Sequence, residues 1–254
     1  MKNLLRIAVP VIGLFVLNVS RAQAQVDLGV KAGLSIPNLT SGNSNNPLSS
    51  GYNSRLGLDA GIHAEFHLTK KFSIQPELRY SSQGGKKNGN QAFVPDPTQF
   101  PAGTPLPPLL YADYKSVAKL NYLMLPVLAK YHFLNNPKWD LYAAVGPFVS
   151  LLLSAKNETS GSSIIYADEQ HKQPLPLGAV SFDRKEDIKD KLNSTNFGID
   201  GHVGIAYKLN QRSSIFLEGG GHYGFITIQK DEANGKNRTG AGVVTAGYAF
   251  RICK

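Results

Sequence analysis

From Leu56 to Leu68 the chain alternates without a slip. Leu56, Leu58, Ala60, Ile62, Ala64, Phe66 and Leu68 share one face, and Gly57, Asp59, Gly61, His63, Glu65 and His67 share the other. After Thr69-Lys70-Lys71 the alternation restarts, with Phe72, Ile74, Pro76, Leu78 and Tyr80 set against Ser73, Gln75, Glu77, Arg79 and Ser81. Side chains of a strand point to opposite faces in turn, so each run predicts a strand with one apolar and one ionic face. The same test predicts eight strands, over residues 26–36, 56–68, 72–81, 114–133, 139–153, 197–209, 213–225 and 241–252. Their polar faces add Asp27, Lys31, Lys130, His132, Asp140, Asp200, His202, Lys208, Glu218, His222 and Arg251.

The connections sort by length. Residues 69–71, 134–138 and 209–212 are tight turns, whereas 39–54, 83–113, 156–195 and 228–238 are long, and the two kinds alternate. Long strands of even number, joined by short turns at one end and long loops at the other, predict an all-β, eight-stranded antiparallel up-and-down transmembrane β-barrel. A soluble lipid-holding barrel would turn the same apolar face inward, and the aromatics decide against it. Phe66, Phe72, Tyr131, Phe133, Trp139, Tyr207 and Phe250 cluster near the short turns or the C-terminus. Tyr80, Tyr114, Phe197, Tyr223 and Phe225 cluster near the other ends. Two aromatic girdles around an aliphatic band match a bilayer and its two interfaces.

The strand over 114–133 fits least well, because its register aims Lys115, Lys119 and Asn121 at lipid. A bulge near Asn121, or a strand that rises above the membrane there, removes the conflict. Pro76, Pro126 and Pro147 remove ladder donors and are expected at breaks in pairing. Residues 83–113, with Gly84-Gly-Lys-Lys-Asn-Gly-Asn90 and six prolines, read as an extended polyproline-like loop, and 183–191 as a solvated charge run.

The first residues change the address. Lys2 and Arg6 precede an apolar run from Ile7 to Val19, and Ala22-Gln23-Ala24 has the small-x-small form of a cleavage site. Residues 1–24 are therefore expected to be a cleaved signal peptide, with 25–254 the barrel domain, both termini in the periplasm and the protein in the cell outer membrane. Removing residues 1–24 takes away Lys2, Arg6 and Arg21 and no acid, lowering the formal charge from +9 to +6. An exported chain with no aromatic-basic patch gives no reason to expect nucleic acid. The lone cysteine, Cys253, has no partner for an internal disulfide.

Four stretches carry a resemblance. Gly29-Val-Lys-Ala-Gly-Leu-Ser35, Gln75-Pro-Glu-Leu-Arg-Tyr-Ser-Ser-Gln-Gly84, Leu120-Asn-Tyr-Leu-Met-Leu-Pro-Val-Leu-Ala-Lys-Tyr131 and Gly146-Pro-Phe-Val149 resemble the PorT-like family of outer-membrane β-barrel proteins. The resemblance covers nearly all of the chain past residue 24 and implies an outer-membrane barrel. It implies no activity, although some members are linked to protein secretion. Met124 stands where the family often has an acid, and Arg-Ile-Cys-Lys follows Phe250.

Eight strands enclose a lumen that side chains can fill. Seven inward carboxylates (Asp27, Asp59, Glu65, Glu77, Asp140, Asp200, Glu218) face five inward cations (Lys31, Arg79, Lys130, Lys208, Arg251). Buried charges need partners, so these residues, with His63, His67, His132, His202 and His222, are read as a hydrogen-bonded ionic plug. Placing Leu68 opposite Phe72 sets His63 across from Glu77, and placing Phe133 opposite Trp139 sets His132 across from Asp140. His63-Ala-Glu65-Phe-His67 carries metal-ligand types two apart on a strand, yet no coordinating partner can be picked out, so no metal and no cofactor is expected. Inward histidines without a serine motif give no reason to expect an enzyme. The expected function is structural or interactive, in surface contact or as a secretion accessory. Its partners are outer-membrane lipid, the barrel-insertion machinery and proteins met through the outer loops. The runner-up is a narrow porin-like channel for small solutes, with water beside Gly57, Gly61, Gly204 and Gly220. A lipid-modifying enzyme stands third.

Overall fold

The computed structural model of the protein describes residues 25–41, 46–100, 105–231 and 235–252. The expected signal peptide and Cys253 lie outside them. Among the described residues eleven strands form one antiparallel sheet: β1 (Val26–Ser41), β2 (Gly57–His67), β3 (Phe72–Phe93), β4 (Leu110–Asn135), β5 (Trp139–Ser160), β6 (Ser162–Tyr166), β7 (Pro174–Ser181), β8 (Arg184–Asp187), β9 (Thr195–Lys208), β10 (Ser213–Gly224) and β11 (Asn237–Arg251). Eight of them close a ring in the order β1-β2-β3-β4-β5-β9-β10-β11, and β11 pairs back to β1 from Asp27↔Arg251 to Ser41↔Asn237. Closure leaves no unpaired edge in the wall, which is the condition for crossing lipid with strands.

Side-chain chemistry at the short turns explains where the strands reverse. The Thr69 hydroxyl accepts from the amides of Lys71 and Phe72, the Asn136 side chain from Lys138 and Trp139, and the Asn210 side chain from Arg212 and Ser213. Each is a short polar side chain that mimics a backbone turn.

The ring turns its apolar face outward. Val30, Ile62, Val127, Val145, Val203 and Val244 are each at least half exposed, and they belong to a continuous belt around the wall. Exposed apolar patches on soluble monomers rarely exceed a few hundred Å², so this belt is a lipid-facing surface. Phe72 packs on Tyr131 at 4.9 Å and Trp139 on Tyr207 at 4.8 Å at the short-turn end, and Phe197 packs on Phe225 at 5.8 Å at the other. Tyr114 leaves the expected girdle. It lies roughly 30 Å along β4 beyond Leu123 and stacks on Phe182 at 4.5 Å.

That displacement has a wider cause. The stretch expected to be a polyproline-like loop is largely strand, because β3 and β4 stay paired out to Phe93↔Leu110. The polar run Gly84–Asn90 buries little, but its backbone is satisfied by the β4 ladder, and the proline-rich residues are confined to 94–109. The ladder to β5 shifts between Asn121 and Tyr122, and the strands beyond it rise clear of the belt. Lys119 there pairs with Glu158, which Lys185 also holds at 3.0 Å; the two ammonium groups keep the Glu158 carboxyl at about 2. The charge run 183–191 is partly ordered: β8 pairs with β5, and Lys191 reaches Glu186 at 2.8 Å.

Pairing is interrupted beside two of the prolines. The β2–β3 and β3–β4 ladders skip on either side of Pro76, and the β4–β5 ladder skips after Pro126. Pro147 sits in the β4–β5 gap while keeping its register with Ile199 of β9.

The segment between β1 and β2 folds over the long-loop end, where Lys87 donates to the carbonyls of Pro47 and Leu48 and lies 4.4 Å from the Tyr52 ring centre. Burial pushes the Lys87 ammonium down to about 8. A 13Cε NMR titration of Lys87 should therefore give a midpoint near pH 8, and a midpoint at the free-lysine value would show that the contact does not form. Because folding lowers this value from 10.5, the unfolded chain binds more protons between the two, and stability should rise with pH over that window.

Candidate functional site

The polar faces meet inside the ring, in layers that climb from the short-turn end. At the mouth Arg251 grips Asp27 through Nε at 2.7 Å and Nη2 at 2.9 Å, and His67 Nε2 approaches the same carboxylate at 2.9 Å. Lys208 takes no carboxylate here; it donates to the Asn135 side chain and, at 2.8 Å, to the Asn136 carbonyl. The expected ion pair is replaced because β9 ends at Lys208, where the long side chain reaches the neighbouring turn.

Above the mouth Glu65 collects three donors and neighbours. Lys130 Nζ donates to Oε2 at 2.7 Å, Ser73 donates to Oε1 at 2.6 Å, and His132 Nε2 lies 3.1 Å from Oε1. The other His132 nitrogen meets Asp140 at 2.8 Å. This contact arises by a different register from the one the turn implied. A shift between His132 and Leu134 sets Tyr142 opposite His132 and Asp140 opposite Asn135. Asp140 and Tyr142 still share the inward face, and diagonal neighbours across a ladder lie within side-chain reach. His63 does pair with Glu77 across the β2–β3 ladder, as the turn at 69–71 implied.

The middle layer is built on Lys31, whose ammonium donates to Glu77 at 2.8 Å and Glu218 at 3.0 Å. Tyr142 donates to the other Glu218 oxygen at 2.9 Å, and Gln75 donates to Glu77 at 2.7 Å. One layer higher, the fully buried Arg79 hydrogen-bonds Asp200, lies 3.6 Å from both Asp59 and Glu77, and reaches His202 at 3.2 Å. A single guanidinium thus holds three carboxylates in a water-poor interior, the arrangement its five fixed donors suit.

Of the four glycines expected beside water, Gly204 is covered by the Tyr142 ring, and a Cβ at Gly57, Gly61 or Gly220 would strike the backbone of the neighbouring strand. A Cβ at Gly204 would strike the Tyr142 ring, one at Gly29 the His63 ring, and one at Gly247 the Phe216 ring. The absent side chains make space for aromatic rings that cross the lumen. His63 lies edge-on to Phe216 at 5.5 Å.

Sequence reasoning missed the top layer. Leu120, Tyr122, Met124, Phe148 and Leu152 all point inward and are buried, and Leu39, Leu192 and Ile228 close over them. His222 sits beneath, against Phe148 at 5.9 Å, and neither of its ring nitrogens has a hydrogen-bond partner. The signal was present in the inward Leu120-Tyr122-Met124 triplet, but a rule of polar interiors directs attention away from it. Below these layers a cavity of about 1060 Å³ opens between the short turns and runs inward to Glu65, Lys130 and Glu218.

Ail, the attachment invasion locus protein of Yersinia pestis, is similar in structure at 11% identity, with 88% of this chain and 98% of that one covered and a TM-score of 0.40. Neisserial surface protein A is similar at 15% identity, covering 89% and 97%, with a TM-score of 0.38. The outer membrane protease OmpT from Escherichia coli is similar at 10% identity, covering 90% and 96%, with a TM-score of 0.40. Among curated proteins nothing matches. A family profile described as outer membrane protein beta-barrel domain matches residues 21–230. That match spans well over half of the sequence, so the chain belongs to the outer membrane protein beta-barrel domain family, whose address is the outer membrane.

Proposed function

We propose that this protein is a closed barrel of structural or interaction type, working through its long-loop end or through contacts within the membrane, and not a catalyst. The supporting observation is the double closure of the lumen. The charge layers around Arg79 lie directly beneath the buried apolar layer of Leu120, Tyr122, Met124, Phe148 and Leu152. Passage of a solute would require both to open. Surface contact or secretion accessory work fits a wall that carries ordered strands well above the lipid belt. Within the family, the Gln75–Gly84 and Leu120–Tyr131 stretches favour the PorT-like group. The partners in this reading are outer-membrane lipid, the insertion machinery that places the barrel, and proteins met by the loops; nucleic acid is not among them.

Planar-bilayer recording of the purified protein tests the closure. Little steady conductance is expected. A stable conductance that selects one ion sign and changes in Glu77→Ala would replace this reading with that of a narrow channel for small solutes. The large cavity at the short-turn end is the observation that favours that second reading, since it already brings solvent to Glu218.

The same reading has residues 1–24 removed as a signal peptide and both termini, with the short turns, in the periplasm. In a Cys253→Ser background, cysteine at Ser162 should label on intact cells, and cysteine at Gln211 only after the envelope is permeabilised. Labelling of Gln211 alone on intact cells would invert the orientation.

A further inference from the structure

We propose that Glu65, His67 and His132 form a binding site for a single transition-metal ion of the zinc class, reached from the cavity at the short-turn end. One donor atom from each of the three lies within 4.8 Å of the others. His132 Nε2 is 3.1 Å and His67 Nδ1 3.7 Å from the same oxygen, Glu65 Oε1. Bond lengths of about 2.0–2.2 Å from zinc to nitrogen and oxygen place tetrahedral ligands roughly 3.3–3.6 Å apart. The two spacings therefore bracket what one ion between them requires.

The outer contacts of the two histidines point to the same conclusion. His132 Nδ1 is held by Asp140 at 2.8 and 2.9 Å, and His67 Nε2 by Asp27 at 2.9 Å. Each ring thus presents its remaining nitrogen toward Glu65. A carboxylate on the far nitrogen fixes the tautomer and raises ligand basicity, the usual support behind metal-bound histidine. The charges leave a place for a cation as well. Lys130 pairs with Glu65 and Arg251 with Asp27, whereas Asp140 meets the His132 ring, and Lys208 nearby spends its hydrogen bonds on the turn at Asn135 and Asn136. Lys130 binds Glu65 Oε2, and Oε1, which accepts from Ser73 at 2.6 Å, is the oxygen that both histidine nitrogens face.

Donor chemistry sets the ion. Two imidazoles and one carboxylate suit zinc and its neighbours, whereas calcium and magnesium need a shell of oxygens. Three protein ligands leave a fourth position facing the cavity, which Glu65 and His67 line. The sequence spacing His63-Ala-Glu65-Phe-His67 offered the wrong histidine. His63 turns to Phe216, and its place is taken by His132 from β4.

Cobalt(II) titrated into the purified, folded full chain in detergent tests the site. Visible d–d absorption of a low-coordinate complex is expected, saturating at one equivalent and removed by zinc but not by magnesium. His132→Gln should abolish it, Asp140→Asn should weaken binding about 10–100-fold, and His171→Ala, in a distant loop, should leave it unchanged. Folding of each variant is checked by its heat-dependent gel mobility. Absence of the absorption in the unaltered protein would overturn the proposal. Undiminished absorption in folded His132→Gln would overturn it equally.

Discussion

Arg79→Met should destabilise the barrel by about 3–5 kcal/mol, the usual result of removing one partner from a buried charge cluster. Arg79 is fully buried, and its guanidinium answers Asp200, Asp59 and Glu77 together. Methionine fills a similar volume, so the loss is electrostatic more than steric. It leaves Asp59 without its cation and Asp200 with His202 alone, while Glu77 keeps Lys31, in an interior where the Asp59 oxygens already lack a hydrogen-bond partner. A urea-driven folding titration in detergent or vesicles measures the loss. The double variant Arg79→Met with Asp200→Asn should recover part of it, because one of the stranded charges is then gone. Equal stability of Arg79→Met and the unaltered chain would show that the network contributes nothing to holding the strands together.

Val203→Arg should cost about 2–4 kcal/mol in the same titration, the range for a lipid-facing arginine near the bilayer midplane. Val203 is 63% exposed on β9, between the girdle residues Phe197 and Tyr207. Gln211→Arg, on the turn that follows, should be nearly neutral, since its side chain already meets water or headgroups. If both changes were tolerated alike, the outward apolar belt would not be in lipid, and a soluble barrel would have to be reconsidered.

The strand ends divide legible from illegible in this chain. Strands β1, β2 and β9 to β11 could be read from alternation because one face meets lipid and the other the plug, and a one-residue slip would exchange the two. Above the lipid belt that contrast disappears. Gly84–Asn90 pairs with β4 although both its faces are polar, so pairing there depends on a neighbouring backbone and not on a pattern. The strands β6, β7 and β8 belong to the same class, since β6 attaches to β4, β7 to β6 and β8 to β5.

The interior divides in a similar way. Alternation was enough to put Lys31, Glu77, Arg79, Asp200 and Glu218 on the inner face, and the Thr69 turn was enough to set His63 across from Glu77. Which side chain answers which was decided across the lumen, between strands far apart in sequence: Lys31 with Glu218, Arg79 with Asp200, Tyr142 with Glu218. No local period encodes such contacts, because they depend on how a closed ring brings opposite walls together. The contact of His63 with Phe216 and the apolar layer above Arg79 have the same origin, whereas the bulge at His132 is local to the β4–β5 hairpin. The sequence by itself determined a strand-built membrane wall, its two faces and its turns, because a period of two and a bilayer's thickness are local constraints. The partners inside, and the closing of the lumen by the layers at Arg79 and at Leu120, were decided only when the eighth strand met the first.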